Sequence, residues 1–98
     1  MLTRETIIKA IKQRQDVIQA EGARAIYLYG SQARGDAHAA SDIDLFVDFD
    51  AENGMSLMNL AGIQIALEDI GAPVSVTTRG SLHPKLRERI EQEAIQIF

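Results

Sequence analysis

Hydrophobic residues change their spacing several times along the chain, and each change marks an element. From about Thr3 to Ala20, Ile7, Ile8, Ile11 and Ile18 recur at helical spacing. Thr3 can cap this helix, and Glu5 falls in its first turn. Gly22 breaks the pattern. "AIYLYG" follows, a short apolar and aromatic run that reads as a buried strand stopped by Gly30. "DIDLFVDFD" then alternates, with Ile43, Leu45, Val47 and Phe49 on one face and Asp42, Asp44, Phe46 and Asp48 on the other. "ENGMS" is a turn, and Ser56 can cap a second helix carrying Leu57, Leu60, Ile63, Leu67 and Ile70, ended by Gly71. "APVSVTT" is a third short strand, with Val74 and Val76 opposite Ser75 and Thr77. The last helix starts near Pro84 and sets Leu86, Ile90 and Ile97 along one stripe, with Leu82 just before it. The predicted order is α-β-β-α-β-α, a small α/β domain over 1–98 in which a three-stranded mixed sheet is packed with helices.

Composition fits that picture. At 98 residues there is room for one domain, and 46% apolar with 24% charged residues describes an ordinary globular chain rather than a disordered one. Cysteine is absent, which removes disulfides, thiolate metal sites and thiol nucleophiles. No run approaches the roughly 18 apolar residues of a membrane span, and "MLTRETIIKAIKQRQ" lacks a signal-peptide core, so a soluble, cytoplasmic protein is expected. Ten Lys and Arg against 14 Asp and Glu leave a net charge of -4, with the basic residues interleaved among acids as in "KLRERIEQE". That balance disfavours a long nucleic-acid partner.

The candidate chemistry is concentrated in "GSQARGDAHAASDIDL", Gly30 to Leu45. Asp42 and Asp44 are separated by one residue, so on a strand their carboxylates leave one face about 7 Å apart at Cα. Such a pair repels itself unless a cation intervenes, and hard oxygen ligands suit Mg²⁺ completed by water and phosphate oxygens. Gly30 lets backbone N–H groups approach an anion, Ser31 adds a hydroxyl donor, and Arg34 adds a cation. Together these residues suggest a nucleoside triphosphate at the mouth of the sheet. Turn chemistry alone explains a Gly-Ser step, and the stretch is neither a P-loop nor a G-x-G-x-x-G fingerprint.

"LYGSQARGDAHAASDIDLFVDF" resembles the signature of the DNA polymerase beta-type nucleotidyltransferase superfamily, Gly-Ser followed by an Asp-x-Asp pair that opens the next strand. The Ala-Arg-Gly step, the Ser-Asp-Ile-Asp-Leu run, the short chain and the "SLHPKLRERIEQEAI" ending are similar to its smallest branch, the minimal nucleotidyltransferases. The resemblance implies that Gly30 and Ser31 contact the triphosphate and that Asp42 and Asp44 ligate two Mg²⁺ ions. It implies attack of an acceptor hydroxyl on the α-phosphate of ATP, with pyrophosphate leaving. It also implies a partner: members of this branch pair with helical HEPN-domain toxins as their antitoxins, and some adenylylate the toxin.

The family pattern places a third carboxylate on the next strand, where this chain has Ser75. Serine is a poor Mg²⁺ ligand and no base at neutral pH, so nucleotide binding is expected to survive while transfer weakens by ~10²–10⁴-fold. Asp48 lies about 13 Å along the strand from Asp44, too far to substitute. Asp36 sits in the connection and could reach in, Glu68 and Asp69 fall at a helix end where solvation is expected, and a partner protein is another source of an acid. His38 reads as a loop residue and His83 as a helix-start residue, and Tyr27 and Tyr29 alternate with Ile26 and Leu28. A binding module that neutralises a toxin by covering it is the alternative of another class. Transfer to a small molecule such as an antibiotic ranks last, since relatives of that kind carry an additional helical domain. The edges of so short a sheet invite self-association or a partner.

Overall fold

The computed structural model describes residues 3–36, 42–49 and 56–98. Helix α1 (Arg4–Lys12) starts at Thr3, whose side chain accepts from the Thr6 N–H in a capping box, and Glu5 lies in its first turn as expected. The predicted single helix to Ala20 is two: α2 (Gln15–Ala20) follows a break at 13–14. The Arg14 N–H bonds the Ile11 carbonyl at 3.0 Å, and the Ala10 carbonyl accepts instead from Arg14 Nη1 at 2.8 Å. Arg14 also reaches the Ala66 carbonyl at 3.0 Å and Asp69 at 2.8 Å, so the break fixes this corner to a distant segment.

Strand β1 (Ala23–Tyr29) leads through Gly30 into a single-turn helix, α3 (Ser31–Arg34), and β2 (Ile43–Phe49) pairs antiparallel with β1. Helix α4 (Leu57–Ala66) is capped by Ser56 as predicted but ends earlier than Ile70; Leu67 to Gly71 form the turn, with Gly71 at φ 110°. Strand β3 (Val74–Thr78) pairs parallel with β2. A 3-10 turn (Arg79–Ser81) precedes α5 (Pro84–Glu93), and β4 (Ile95–Gln96) pairs antiparallel with β1. Among the described residues the mixed sheet therefore has four strands, in the order β3-β2-β1-β4, rather than three.

The extra strand corrects the placement of Ile97. Ala94 turns extended (φ -67°, ψ 145°), so Ile97 does not extend the α5 stripe but bonds the Ile26 carbonyl at 2.8 Å and enters the core. One face of the sheet packs Ile26, Leu28, Ile43, Leu45 and Val47 against Ile7, Ile11 and Ile18 and against Ile63 and Leu67. Two stripe assignments fail. Leu57 is 80% exposed at the start of α4, and Leu86 is 48% exposed on α5. Strand β3 is a sheet edge, and the Gln64 side chain covers it by accepting from the Val76 N–H at 3.1 Å and donating to the Val74 carbonyl. Among the described residues no helix is long and apolar enough to cross a membrane.

Candidate active site

Strand register builds the site around Asp44. Its partner across antiparallel β1 is Tyr29, and its partner across parallel β3 is Ser75. Period-two alternation turns these positions away from the core, because Leu28, Leu45, Val74 and Val76 pack on the other side. Asp42 lies exposed just before β2. On the same face Phe46 is buried under Tyr27, with ring centroids 4.7 Å apart and planes 12° from parallel.

Gly30 is required for two reasons. Its backbone sits at φ 75° and ψ -153°, a region open essentially to glycine, and a Cβ there would lie 2.6 Å from Asp44 Oδ2. The Gly30 carbonyl accepts from the Ala33 and Arg34 N–H groups at 3.1 and 3.0 Å, which sets α3 and brings Arg34 back over the turn. The Arg34 guanidinium donates through Nε to Asp36 at 3.1 Å and through Nη1 to Glu93 at 3.3 Å. Tyr29, Gly30, Ser31, Arg34 and Asp44 thus form one wall of a cleft of about 350 Å³. Helix α5 forms the other, through Leu86, Arg89, Ile90 and Glu93.

Electrostatics in the cleft follow from burial. Desolvation first, and repulsion from Asp42 second, raise the Asp44 carboxyl above its ordinary range, while Arg34 opposes them. Burial, then the Asp44 charge, likewise raises the Tyr29 phenol. Asp36 hydrogen-bonds Arg34 and, with Glu93, raises its affinity for its proton against the opposing effect of burial.

Asp48 is on the same face but is taken up elsewhere. Arg79 grips it bidentately at 2.8 and 2.9 Å, lowering its pKa chiefly through that hydrogen bonding. Asp36 is committed to Arg34 and Asp69 to Arg14, and Glu68 is exposed. His83 is the α5 N-cap, its Nδ1 accepting from the Lys85 N–H at 3.2 Å. His38 lies outside the described residues. Glu93, Arg89, Leu86 and Ile90 belong to no chemistry-bearing motif in the sequence; their i, i+3, i+4, i+7 spacing on one helical stripe is the signal that marks a shared wall.

Among the described residues no three acidic or histidine side chains converge on a metal position. The donor set of Asp42 and Asp44 nonetheless fits Mg²⁺. Both offer hard oxygens, and a cation between them offsets the burial and the Asp42 repulsion that raise Asp44. The remaining coordination would come from water and phosphate oxygens.

The chain is similar to known proteins. Residues 4–97 match the model of the nucleotidyltransferase domain. The Methanocaldococcus jannaschii protein named "Putative protein adenylyltransferase MJ0435" is 35% identical over 83 residues, 84% of this chain and 87% of that one. A solved structure described as a "putative minimal nucleotidyltransferase" is 33% identical with a TM-score of 0.70, covering 90% of this chain and 93% of the other. A toxin-antitoxin crystallised with AMP-PNP shares the fold at 23% identity and a TM-score of 0.71, over 99% of this chain and 73% of the other. With a glycine turn packed on the Asp44 strand and a match that runs from Arg4 to Ile97, the chain belongs to the nucleotidyltransferase domain family.

Proposed function

We propose that this chain binds ATP with Mg²⁺ and transfers AMP to a hydroxyl of a partner protein, a HEPN-type toxin for which it is the antitoxin. One observation carries the reading: the Gly30 backbone is packed against the Asp44 carboxylate, so a phosphate-approach turn and a metal-suited acid open into one cleft with Ser31 and Arg34. Gly30, Ser31 and Arg34 hold the triphosphate. Asp42 and Asp44 hold Mg²⁺, which when bound supplies neutralising charge at the phosphates. The acceptor oxygen attacks the α-phosphorus, the bond from that phosphorus to the bridging oxygen breaks, and pyrophosphate leaves with the electron pair. Ser75 offers no base, so the hydroxyl proton passes to solvent and transfer is slow. The protein adenylyltransferase name of the relative supports a protein acceptor, and the toxin-antitoxin neighbour supports a toxin in that role.

The test is incubation with labelled ATP, Mg²⁺ and the protein encoded beside it. Label on that protein, lost in Asp42→Ala, supports transfer. Neutral Ser75 in register with Asp44 favours a second reading, a binding module that neutralises the toxin by covering it. Neutralisation with no label at any Mg²⁺ concentration selects that reading and overturns transfer.

A further inference from the structure

The carboxylate of Glu93 sits on two of the groups assigned above to phosphate. The Gly30 N–H donates to its Oε1 at 3.4 Å, and Arg34 Nη1 donates to Oε1 at 3.3 Å and to Oε2 at 3.5 Å. All three contacts are long, so the carboxylate is held loosely. Its partner is also unexpected. Arg89 lies one turn earlier on α5, at the spacing of an i,i+4 ion pair, yet Glu93 reaches across the cleft to Arg34. Among the described residues Arg89 has no ion-pair partner, although it lines the same cleft.

We infer that Glu93 is the resident anion of the phosphate subsite, and that a polyphosphate binds by displacing it. This rests on the nucleotide reading of the cleft. Gly30 has one N–H and cannot give it fully to Glu93 and to a phosphate at once. A carboxylate left beside phosphate oxygens would repel them, whereas one turned along its own helix meets the Arg89 guanidinium. A singly bound anion only exchanges one carboxylate for another negative group and gains little. A triphosphate tail adds further oxygens for Ser31, for Arg34 and for a cation shared with Asp42 and Asp44, so it can overcome the occupant. Glu93 therefore sets a displacement cost common to every phosphate that enters this subsite, and a ligand with further contacts meets it more readily.

Glu93→Gln keeps the shape and an acceptor for the Gly30 N–H but removes the charge. Binding of Mg²⁺-tripolyphosphate and of inorganic phosphate is measured by calorimetry on the full chain, in wild type, Glu93→Gln, Glu93→Ala and Arg34→Gln. Both Glu93 variants are expected to bind tripolyphosphate roughly fivefold tighter, the scale of one partly exposed ion pair, and inorganic phosphate tighter by a similar factor. Arg34→Gln is expected to bind more weakly. Unchanged affinity in both Glu93 variants overturns the inference. Weaker affinity also overturns it, because Glu93 would then be a clamp that orients Arg34. If the folded wild type binds neither Mg²⁺-tripolyphosphate nor Mg²⁺-ATP, the nucleotide reading itself fails and takes this inference with it; binding indifferent to residue 93 sinks the inference alone.

Discussion

Ser75 is the register partner of Asp44 on the parallel β2–β3 ladder, and both face away from the core. A carboxylate at residue 75 would stand beside the two acids already present, and Ser75 is exposed enough for the longer side chain to enter without repacking. Ser75→Asp is therefore expected to raise Mg²⁺-dependent transfer from ATP by ~10²–10⁴-fold, the usual contribution of a positioned base. A companion effect follows from charge. The added acid should lower the melting temperature without Mg²⁺ and increase the stabilisation that Mg²⁺ brings. Transfer rates that stay level between the wild type and the Ser75→Asp variant would show that this position does not limit the reaction.

Signals that act over a few residues were legible before the structure. Thr3 and Ser56 announce helix starts because a cap is a local hydrogen bond, and alternation from Ile43 to Phe49 shows which face carries Asp44. Contacts made across the fold were not. Nothing adjacent to Arg14 reveals that its side chain reaches Ala66 and Asp69, which accompanies the break between α1 and α2. Strand β4 pairs two residues with β1, too short a run to outweigh the helical stripe to which Ile97 could also belong. Leu86 fits that stripe too, yet it borders the cleft. The candidate site shows the same division: Gly30, Ser31, Arg34, Asp42 and Asp44 are close in sequence, whereas Glu93 and Arg89 come to the cleft from the far end of the chain.

Gly30→Ala tests the packing at the centre of the site. The new methyl must accept a glycine-only backbone region and a position 2.6 Å from Asp44 Oδ2. A loss of about 1–3 kcal/mol is expected in urea unfolding, together with at least about tenfold weaker Mg²⁺-tripolyphosphate binding. Adding Asp44→Ala removes the clash but leaves the backbone cost, so the double variant should be more stable than the sum of the single effects. Strict additivity would place the whole penalty in the backbone.

Arg79 fastens the exit of β3 to both the sheet and α5. It grips Asp48 at 2.8 and 2.9 Å, pairs with Glu91, and covers the Tyr27 and Phe46 rings at 4.9 and 5.0 Å from their centroids. The side chains of Arg79 and Asp48 are 26% and 31% exposed, so solvent screens the pair only in part. Arg79→Ala is expected to cost about 1.5–3 kcal/mol, counting the lost bidentate pair and the cation–π contacts. Arg79→Lys should recover only part, because an ammonium cannot grip both oxygens of Asp48 in parallel. Since Glu91 lies on the helix that walls the cleft, KM for ATP should rise in Arg79→Ala more than kcat falls. A variant with wild-type stability would remove Arg79 from this role.

Asp44 and Asp48 should respond to pH in opposite senses. Burial and the Asp42 charge raise Asp44 above its ordinary value of 3.8, so the folded chain binds that proton more tightly than the unfolded one. Its favourable share is complete below 3.8 and is lost as pH rises through the folded value, leaving an ionised carboxylate that destabilises the fold at neutral pH. Arg79 lowers Asp48 below 3.8, so its contribution is present above that value and disappears as pH falls through the folded one. At neutral pH Asp44→Asn should therefore raise the melting temperature and Asp48→Asn should lower it, each by no more than about 4 °C because both groups are partly solvated. The Asp44→Asn gain should fade as the solution is acidified, and the Asp48→Asn loss should shrink over the same descent. Mg²⁺ should raise the melting temperature of the wild type at neutral pH and do little for Asp44→Asn. Melting curves collected across that range decide the matter: a stabilising effect of Asp44→Asn that persists unchanged into acid would mean that shape, and not the charge held beside Gly30, is what strains this corner of the sheet.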